Sequence, residues 1–222
     1  MIKVIYFFRK KPGLSVEDFQ TYWRQEHSNF VSQIPEVRRY VQCHTLLSGY
    51  QRETPPAIDG TEELCFDGID DFLSLEKTPA AQASLHDLSN FVDTFQLQYI
   101  RTEEAVVKEG STHKGMVKNI EFLIRKPDIP LVDFHRYWLE IHGPLAAKIE
   151  MIRRYVQSHT LLSDYTQKEP PPYDGVAETW FDDTNSMRSS ALTPEYATLR
   201  ADEKNFISEK RMFVITRELK FI

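Results

Sequence analysis

The chain has 222 residues, of which 41% are hydrophobic and 27% charged, and its formal net charge at pH 7 is -6. This apolar content suffices for a buried core, and the length allows one large domain or two small ones. An acidic chain without a basic block is a poor candidate for nucleic acid, because phosphate neutralisation supplies most of that affinity. No apolar run approaches the ~18 residues of a membrane span. We therefore expect a soluble globular protein with no nucleic-acid or membrane partner.

Targeting and redox signals are scarce. The first apolar run, residues 2–8, is followed by basic residues 9–11, whereas a secretory signal carries its basic residues before the apolar run. The two cysteines, Cys43 and Cys65, form neither a disulfide framework nor a CxxC zinc pair, so we expect buried, reduced thiols. Both observations favour a cytoplasmic protein.

The chain contains an internal repeat without insertions or deletions. The clearest matching segments are 22–23 with 137–138, 38–48 with 153–163, 55–60 with 170–175 and 78–79 with 193–194. About 38 positions are identical between residues 1–107 and 116–222, far more than chance would produce. The intervening residues 108–115 are polar and contain glycine at 110 and 115, as expected of a linker. The sequence therefore predicts two domains, 1–107 and 116–222, joined by a linker at 108–115.

Each copy predicts the same six elements in the same order. In the first copy, Ser15 is a suitable N-cap with Asp18 in the capping-box position, and Pro79 can start a new helical turn. The predicted elements are a strand at 2–8, a helix from 15, strands at 39–47 and 62–67, a helix from 70 and a strand at 95–107; the second copy begins with a strand at 117–124 and ends with one at 212–222. This βαββαβ order is typical of the ferredoxin-like fold.

A four-stranded sheet with both helices on one face leaves its other face bare. Because an apolar patch of that size is rarely exposed, we expect the two sheets of the chain to pack against each other. The predicted fold class is therefore α+β, with two ferredoxin-like βαββαβ repeats packed sheet to sheet as an intrachain, pseudo-dimeric α+β barrel. We expect a ligand cavity between the two sheets.

Polar side chains alternate with smaller, more apolar ones along the second strand of each copy. Tyr40, Gln42 and His44 share one face, and the residues between them share the other. Because the second set is smaller and more apolar, we expect it to pack on the helices and the first set to face the cavity. The residues expected to line this cavity and bind a ligand are Tyr6, Tyr40, Gln42, Asn119, Glu121, Tyr155, Gln157 and Trp180.

Glutamates on the third strand lie near the histidines of the second strand in this arrangement. The expected pairs are His44 with Glu63, and His159 with Glu178. A His that accepts a proton beside a Glu that orients it is a competent acid–base unit, and burial moves their pKa values towards neutrality. Alternatively, the His and the Glu of each pair could hydrogen-bond to each other across adjacent strands and have a structural role only. Both interpretations stay open at this point.

His27 and His142 end an aromatic stripe on the first helix of each copy. The spacing from Phe19 to His27 places both on one helical face, a position more typical of a packing residue than of a catalytic one. His135 shares a face with His142, but two histidines without a third ligand do not predict a metal site. The chain has no GxGxxG, phosphate-loop or CxxCH motif, and we expect neither a metal nor a cofactor.

The chain resembles the EthD family, part of the dimeric α+β barrel superfamily, in both copies. The matching segments of the second copy are 125–127, 134, 137–138, 142–145, 153–157, 173–178 and 201–206, and those of the first copy are 11–15, 19, 22–23 and 27. After His27 the first copy has residues 28–30 (Ser-Asn-Phe) in place of the family's Gly-Pro-Leu. The resemblance implies a ferredoxin-like fold, a small and largely apolar organic ligand, and a functional role for His142 and, to a lesser degree, His27.

Three functional hypotheses follow. The first is a cofactor-independent lyase, isomerase or cyclase, or a cofactor-free monooxygenase, whose His/Glu pairs act on a small hydrophobic, aromatic or enolisable metabolite. Tyr40 and Tyr155 would then donate hydrogen bonds to a developing enolate. The second is a non-catalytic small-molecule binder or an accessory protein to an oxygenase, and the third is a haem protein with a single His ligand. Further pairing into a homodimer of two-domain chains stays open.

Overall fold

The computed structural model describes every residue from Met1 to Ile222. The chain divides into two compact units: the first contains Met1–Arg101 and Glu218–Ile222, and the second contains Thr102–Arg217. None of the helices combines the length and the hydropathy needed to traverse a lipid bilayer.

The first unit is built around strands that pair antiparallel. Its elements, with the strand that leads out of it, are β1 (Ile2–Phe8), α1 (Val16–Tyr22), a π-helical turn (Trp23–His27), α2 (Ser28–Val31), β2 (Arg39–Thr45), β3 (Gly60–Phe66), α3 (Ile69–Ser74), α4 (Pro79–Phe91) and β4 (Gln98–Lys108). Strand β3 lies between β1 and β2, and its residue Glu63 stands opposite Ile5 and Val41.

The second unit repeats this order and also contains the part of β4 from Thr102 onward. Its elements are β5 (Val117–Leu123), α5 (Leu131–Tyr137), a second π-helical turn (Trp138–His142), α6 (Gly143–Ala147), β6 (Arg154–Thr160), β7 (Gly175–Phe181), α7 (Thr184–Ser190), α8 (Pro194–Glu203) and β8 (Met212–Lys220). The strand order is β4-β6-β7-β5-β8, because β4 pairs with β6 from Thr102 onward. The predicted α+β class with two ferredoxin-like βαββαβ repeats is confirmed.

Local sequence signals account for the helix starts. The side chain of Ser15 accepts a hydrogen bond from the backbone N–H of Asp18 at 3.0 Å, so the predicted N-cap is confirmed. Helix α4 begins at Pro79, where the fixed φ of proline suits the first helical position.

A π-helical turn follows the first α-helix of each unit and carries both a Trp and a His. Trp23 and His27 are completely buried, and Trp138 and His142 are 0% and 6% exposed. Single π-helical turns occur often at functional sites, because the wider turn redirects side chains that a regular helix would space differently. Here each turn places a Trp and a His towards the interior of its unit.

Each of these tryptophans packs on a glycine of the neighbouring sheet. A Cβ atom on Gly60 would lie 2.5 Å from Cζ3 of Trp23, and a Cβ atom on Gly175 would lie 2.5 Å from Cζ3 of Trp138. No other residue leaves room for the indole ring at these positions, which explains why the glycine recurs in both copies. Phenylalanines complete the two hydrophobic clusters, with Phe8, Phe19 and Phe91 in the first and Phe134 and Phe206 in the second.

The expected orientation of the second strand was wrong. The ring of His44 stacks on Trp23 with 4.3 Å between the ring centroids, and Gln42 Nε2 donates to the backbone oxygen of Trp23 at 2.8 Å. Tyr40, Gln42 and His44 therefore face the helices of their own unit. The indole ring of Trp23 stacks on the flat imidazole, and its backbone oxygen accepts from the amide of Gln42. The larger residues of the strand therefore face the helices, and the smaller ones face away.

Candidate active site

The expected His/Glu pairs do not form in either unit. Val156 stands opposite Glu178 in the strand register, so Glu178 and His159 point to opposite faces of the sheet. His159 Nε2 instead lies 3.1 Å from Gln157 Oε1, and its ring lies 4.6 Å from that of Trp138. Glu178 accepts a bond from Ser158 Oγ at 2.8 Å and contacts Lys118 Nζ at 2.6 Å.

The first unit shows the same separation. Glu63 contacts Lys3 Nζ at 3.1 Å and Cys43 Sγ at 3.1 Å, on the sheet face opposite to His44. Burial lowers the pKa of His44 and of His159 to about 3, so both rings are neutral at physiological pH. His44 and His159 therefore serve as packing partners of the tryptophans, while Glu63 and Glu178 belong to buried ion pairs.

A different carboxylate holds the histidine of each π-helical turn. His142 Nδ1 lies 2.9 Å from Asp202 Oδ2, and Asp202 Oδ1 accepts bonds from Tyr137 OH at 2.6 Å and Asn205 Nδ2 at 3.0 Å. Helix α8 supplies Asp202 at its C-terminal end, next to α5. Because Asp202 accepts, the ring proton of neutral His142 lies on Nδ1 and the lone pair lies on Nε2.

The first unit contains the equivalent arrangement. His27 Nδ1 lies 2.8 Å from Asp87 Oδ2, and Asp87 Oδ1 accepts from Tyr22 OH at 2.7 Å and Asn90 Nδ2 at 2.9 Å. Sequence reasoning missed both aspartates as partners of the histidines. The signal that could have found them is the repeat itself, because an aspartate followed three residues later by Asn-Phe occurs at the same place in each copy.

The two units differ at the strand position whose side chain lies next to the histidine in the first unit. In the first unit, Glu62 Oε2 accepts from Trp23 Nε1 at 2.8 Å and from Tyr40 OH at 3.1 Å, and it lies 3.5 Å from His27 Nε2. The second unit has Ala177 at the repeat-equivalent position. The methyl group of Ala177 can neither accept these bonds nor fill the volume of a glutamate side chain.

The hydrogen bonds of the tyrosine change with this substitution. Tyr155 OH accepts from Trp138 Nε1 at 3.0 Å and from Gln157 Nε2 at 3.0 Å. Since both partners are N–H donors, the hydroxyl proton of Tyr155 remains available to a ligand. The hydroxyl proton of Tyr40, in contrast, is donated to Glu62.

The pKa values of the two histidines diverge for the same reason. Burial alone would lower the pKa of His27, but the carboxylates of Glu62 and Asp87 outweigh it and raise this pKa above its ordinary value of 6.5. Burial lowers the pKa of His142, and Asp202 offsets this only in part. His27 is therefore a partner in a buried ion pair, whereas His142 is a neutral base at pH 7.

A cavity of about 400 Å³ lies between the sheet and the helices of the second unit, with His142 in its wall. Three of the residues expected to bind a ligand, Asn119, Glu121 and Tyr155, line it. Most of the remaining wall is apolar; it includes Ala146, Ile152, Ala177, Phe181, Met187, Leu199, Phe213 and Ile215. The cavity lies on the helix side of the sheet and not on the face where we expected it.

The other expected ligand residues lie elsewhere. Trp180 faces away from this cavity, in a cluster with Val156 and with Lys118 Nζ 4.6 Å from its ring. Gln157 bonds to the backbone oxygen of Trp138 at 2.8 Å and so positions the helix. Tyr6 lines a cavity of the first unit.

Four charged side chains form one end of the second unit's cavity. Arg211 Nη1 lies 3.0 Å from Glu121 Oε1 and 2.5 Å from Glu203 Oε2, and Arg200 Nη1 lies 2.6 Å from Glu203 Oε1. Burial and the charge of Glu121 raise the pKa of Glu203 to about 7, and burial raises the pKa of Glu121. This end of the cavity can therefore hold or release a proton near neutral pH. The chain contains no group of three or more His, Cys, Asp or Glu side chains placed to hold a metal ion.

The repeated ferredoxin-like fold, with a His–Asp pair between a π-helical turn and a helix in each unit, defines a class of tandem α+β proteins with ligand-sized cavities. Residues 11–94 and 126–210 each match the model of the EthD domain. The chain therefore belongs to the EthD family, as the sequence resemblance indicated. No curated protein is similar enough in sequence to count as a relative.

Solved structures share the fold over nearly the whole chain. An anthrone oxidase-like protein has a TM-score of 0.67 at 8% identity and covers 98% of this chain and 90% of its own. A protein from Lactobacillus acidophilus NCFM, provisionally named a monooxygenase, has a TM-score of 0.61 at 13% identity and covers 98% and 93%. A chlorite dismutase variant from Candidatus Nitrospira defluvii has a TM-score of 0.53 at 8% identity and covers 97% and 90%. At these identities the likeness concerns the fold alone.

Proposed function

We propose that the chain is an acid–base enzyme of the lyase, isomerase or cyclase type, acting on a small, largely apolar, enolisable molecule in the cavity of the second unit. The observation that carries this proposal is the state of His142. Its Nδ1 is held by Asp202, its pKa is lowered by burial, and its ring forms part of the cavity wall. A neutral imidazole oriented in this way is suited to remove a proton from a bound molecule.

Tyr155 supplies the complementary hydrogen bond. When His142 Nε2 removes the proton from a carbon next to a carbonyl group, the C–H electron pair forms a carbon–carbon double bond. The π pair of the carbonyl group moves to its oxygen, and the product is an enolate. The hydroxyl proton of Tyr155, which Trp138 and Gln157 leave unused, stabilises this oxygen. Asp202 stabilises the imidazolium that forms at the same moment.

The charged end of the cavity supplies the second half of the reaction. Protonated Glu203, or Glu121 beside it, can return a proton to a different carbon in an isomerisation or to a departing hydroxyl in an elimination. The raised pKa values of both carboxyls favour this role at neutral pH. No oxidant or reductant is needed, because each step transfers a proton and the electron pair that it leaves stays within the substrate.

The first unit has the equivalent His, Asp and Tyr, but Glu62 contacts both the His and the Tyr. Glu62 Oε2 lies 3.5 Å from His27 Nε2 and also accepts a hydrogen bond from Tyr40 OH. A histidine that is ion-paired and completely buried cannot accept a proton from a ligand. We therefore assign turnover to the second unit.

Proton abstraction can be tested before the natural substrate is known. Enolisable aromatic ketones, beginning with 2-tetralone, are incubated with the protein in D2O, and exchange of the α-protons is followed by NMR. We expect exchange above the buffer rate, reduced by ~10² to ~10⁴ in His142→Gln, as for loss of a general base. The matched variant His27→Gln should keep most of the exchange.

Other outcomes would contradict this assignment. Exchange that is equal in the wild type and in His142→Gln would exclude His142 as the base. Ketone binding, seen as a shift of the Trp138 indole N–H signal, without any accelerated exchange would favour a binding protein. A Soret band in the purified chain would favour a haem protein.

A further inference from the structure

The first unit has a cavity of its own, also of about 400 Å³, between its sheet and helices α3 and α4. Its wall is made mainly of leucines and aromatic rings, among them Tyr6, Leu64, Phe72, Leu88 and Tyr99. The ring centroids of Tyr6 and Tyr99 are 5.4 Å apart, and those of Phe72 and Tyr99 are 5.8 Å apart. This volume and lining fall in the range of cavities that bind small organic molecules.

The charges of this cavity differ from those of the second unit. The charged side chains of its wall are Glu62 and Glu76, with no Lys, Arg or His among them. The cavity of the second unit has Arg188, Arg200 and Arg211 in its wall. An anion would be repelled in the first unit, because nothing in the wall would compensate its charge in a low-dielectric site.

Glu62 provides one directional polar group in this apolar space. The side chain is 6% exposed, and its three contacts, with Trp23, Tyr40 and His27, all involve Oε2. Oε1 of the same carboxylate can therefore accept a hydrogen bond from a ligand hydroxyl group. A carboxylate acceptor forms stronger bonds with a hydroxyl donor than a neutral acceptor does.

We propose that the first unit is a second ligand site, which binds a neutral aromatic molecule with a hydroxyl group and does not convert it. The rings of Tyr6, Phe72 and Tyr99 contact the aromatic part, and Glu62 Oε1 accepts a hydrogen bond from the hydroxyl group. Glu62 thus has two effects: it prevents His27 from acting as a base, and it selects for a hydrogen-bond donor. This site goes beyond the acid–base activity proposed for the second unit and does not depend on it.

Indole N–H signals can report the two sites separately. Trp23 donates to Glu62 in the first unit, and Trp138 donates to Tyr155 in the second. With the full-length protein labelled with 15N at tryptophan, the two signals are followed during titration with 1-naphthol, which is neutral at pH 7, and with 1-naphthoate, which is an anion. We expect 1-naphthol to shift the Trp23 signal in a saturable manner and 1-naphthoate to leave it in place.

Residues taken from the second unit make suitable control variants. Ala81 is replaced by Tyr, the residue at the equivalent position 196, so that the cavity is filled by a side chain that the fold already accommodates elsewhere. We expect at least a tenfold loss of 1-naphthol affinity at Trp23, with the Trp138 signal responding as before. If Ala81→Tyr lowers the unfolding temperature strongly, Ser84→Leu, which introduces the residue found at 199, fills the same space more modestly.

The proposal is overturned if saturating 1-naphthol leaves the Trp23 signal unchanged, or if 1-naphthoate shifts it as much as 1-naphthol does. It is also overturned if the Trp23 response persists unchanged in folded Ala81→Tyr or Ser84→Leu protein. Loss of ketone exchange in the second unit leaves this result unaffected, so failure of either proposal can be recognised by itself.

Discussion

His27 Nε2 lies 3.5 Å from Glu62 Oε2, and Ala177 at the equivalent position leaves His142 without such a contact. The second unit keeps the histidine, the aspartate, the tyrosine and the tryptophan of the arrangement but has Ala177 in place of the glutamate. One substitution therefore both frees the imidazole and leaves the hydroxyl proton of Tyr155 available. A repeated chain of this kind can use one copy for turnover and the other for binding.

Installing the glutamate in the second unit should inactivate it. In Ala177→Glu, the new carboxylate can accept from Trp138 and approach His142, as Glu62 does with Trp23 and His27. We expect the pKa of His142 to rise above its wild-type value and ketone exchange to fall by at least ~10², the usual contribution of a general base. NMR titration of the His142 ring signals and the exchange assay measure the two effects.

Ala177→Gln is the matched control for this change. It has the same shape without the charge, so it should obstruct the cavity without raising the pKa of His142. A pKa of His142 that stays at the wild-type value in Ala177→Glu would show that the proximity of a carboxylate does not control this ring.

Activity should depend on pH through two groups of the second unit. His142 must be neutral, and burial lowers its pKa below the ordinary value of 6.5, so the acidic limb of the profile should lie below pH 6.5. Glu203 must be protonated to act as the acid, and its pKa of about 7 places the alkaline limb near pH 7. The rate of ketone exchange reports the first limb, and product formation from the natural substrate reports both.

Glu203→Gln should remove the alkaline limb and leave the acidic limb in place. Because Glu121 and Glu203 both contact Arg211, the observed pKa belongs to the pair and not to one residue. A wild-type profile without an alkaline limb near pH 7 would contradict the assignment of Glu203, and an acidic limb above pH 6.5 would contradict that of His142.

Asp202 should act on the reaction only through His142. In Asp202→Asn, the amide can donate to Nδ1, which favours the tautomer with its proton on Nε2 and removes the base from the cavity. We expect a loss of about 10²-fold or more in ketone exchange, by analogy with other His–Asp pairs. The pKa of His142 should fall further, since Asp202 is the group that raises it. Asp87→Asn in the first unit serves as the matched control and should change exchange much less.

More of the fold than of the candidate site could be predicted from the sequence. The repeat, the strand lengths and the N-cap at Ser15 depend on local chemistry, which a single sequence contains. The pairing partner of a strand does not follow from local chemistry. The alternation of polar and apolar residues along β4 does not specify that Thr102–Lys108 pairs with β6. The same ambiguity affected the orientation of the second strand: side-chain size suggested one face for His44, and the position of Trp23 decided for the other.

The sequence named His142 as a candidate site residue, but it did not indicate the partner that the structure shows. Asp202 is distant from His142 in the chain, and only the packing of α8 beside the π-helical turn brings the two side chains within 2.9 Å. Comparing the two copies gives more information about the candidate site than either copy gives alone. Their shared residues include the His–Asp pair, and their differences, Glu62 against Ala177 and Leu88 against Glu203, mark the places where their chemistry diverges.

The two histidines should affect stability with opposite dependence on pH. The pKa of His27 is raised in the folded state, so its ion pair contributes stability that is fully present below pH 6.5 and is lost as pH rises through the folded pKa. The pKa of His142 is lowered, so its contribution is present above pH 6.5 and is lost as pH falls through the folded pKa. Urea unfolding of the wild type, His27→Gln and His142→Gln at pH 5.5 and 8.5 measures both.

We expect His27→Gln to destabilise the protein more at pH 5.5 than at pH 8.5, relative to the wild type, and His142→Gln to show the reverse order. Since the same imidazole is removed in equivalent places, the loss of packing largely cancels in the comparison. Equal pH dependence in the two variants would mean that Glu62 does not distinguish the environments of the histidines.

Gly60 should be indispensable for the packing of Trp23. A Cβ atom there would lie 2.5 Å from Trp23 Cζ3 and 2.9 Å from the backbone oxygen of Cys43, and the backbone contact cannot be relieved by a change of rotamer. We expect Gly60→Ala to lower the free energy of unfolding by about 1–3 kcal/mol, as overpacking in a core usually does. A double-mutant cycle with Trp23→Phe tests the cause, because the smaller ring removes the first clash and should make the alanine less costly. Strictly additive effects of the two substitutions would show that the indole ring is not what excludes a side chain at this position.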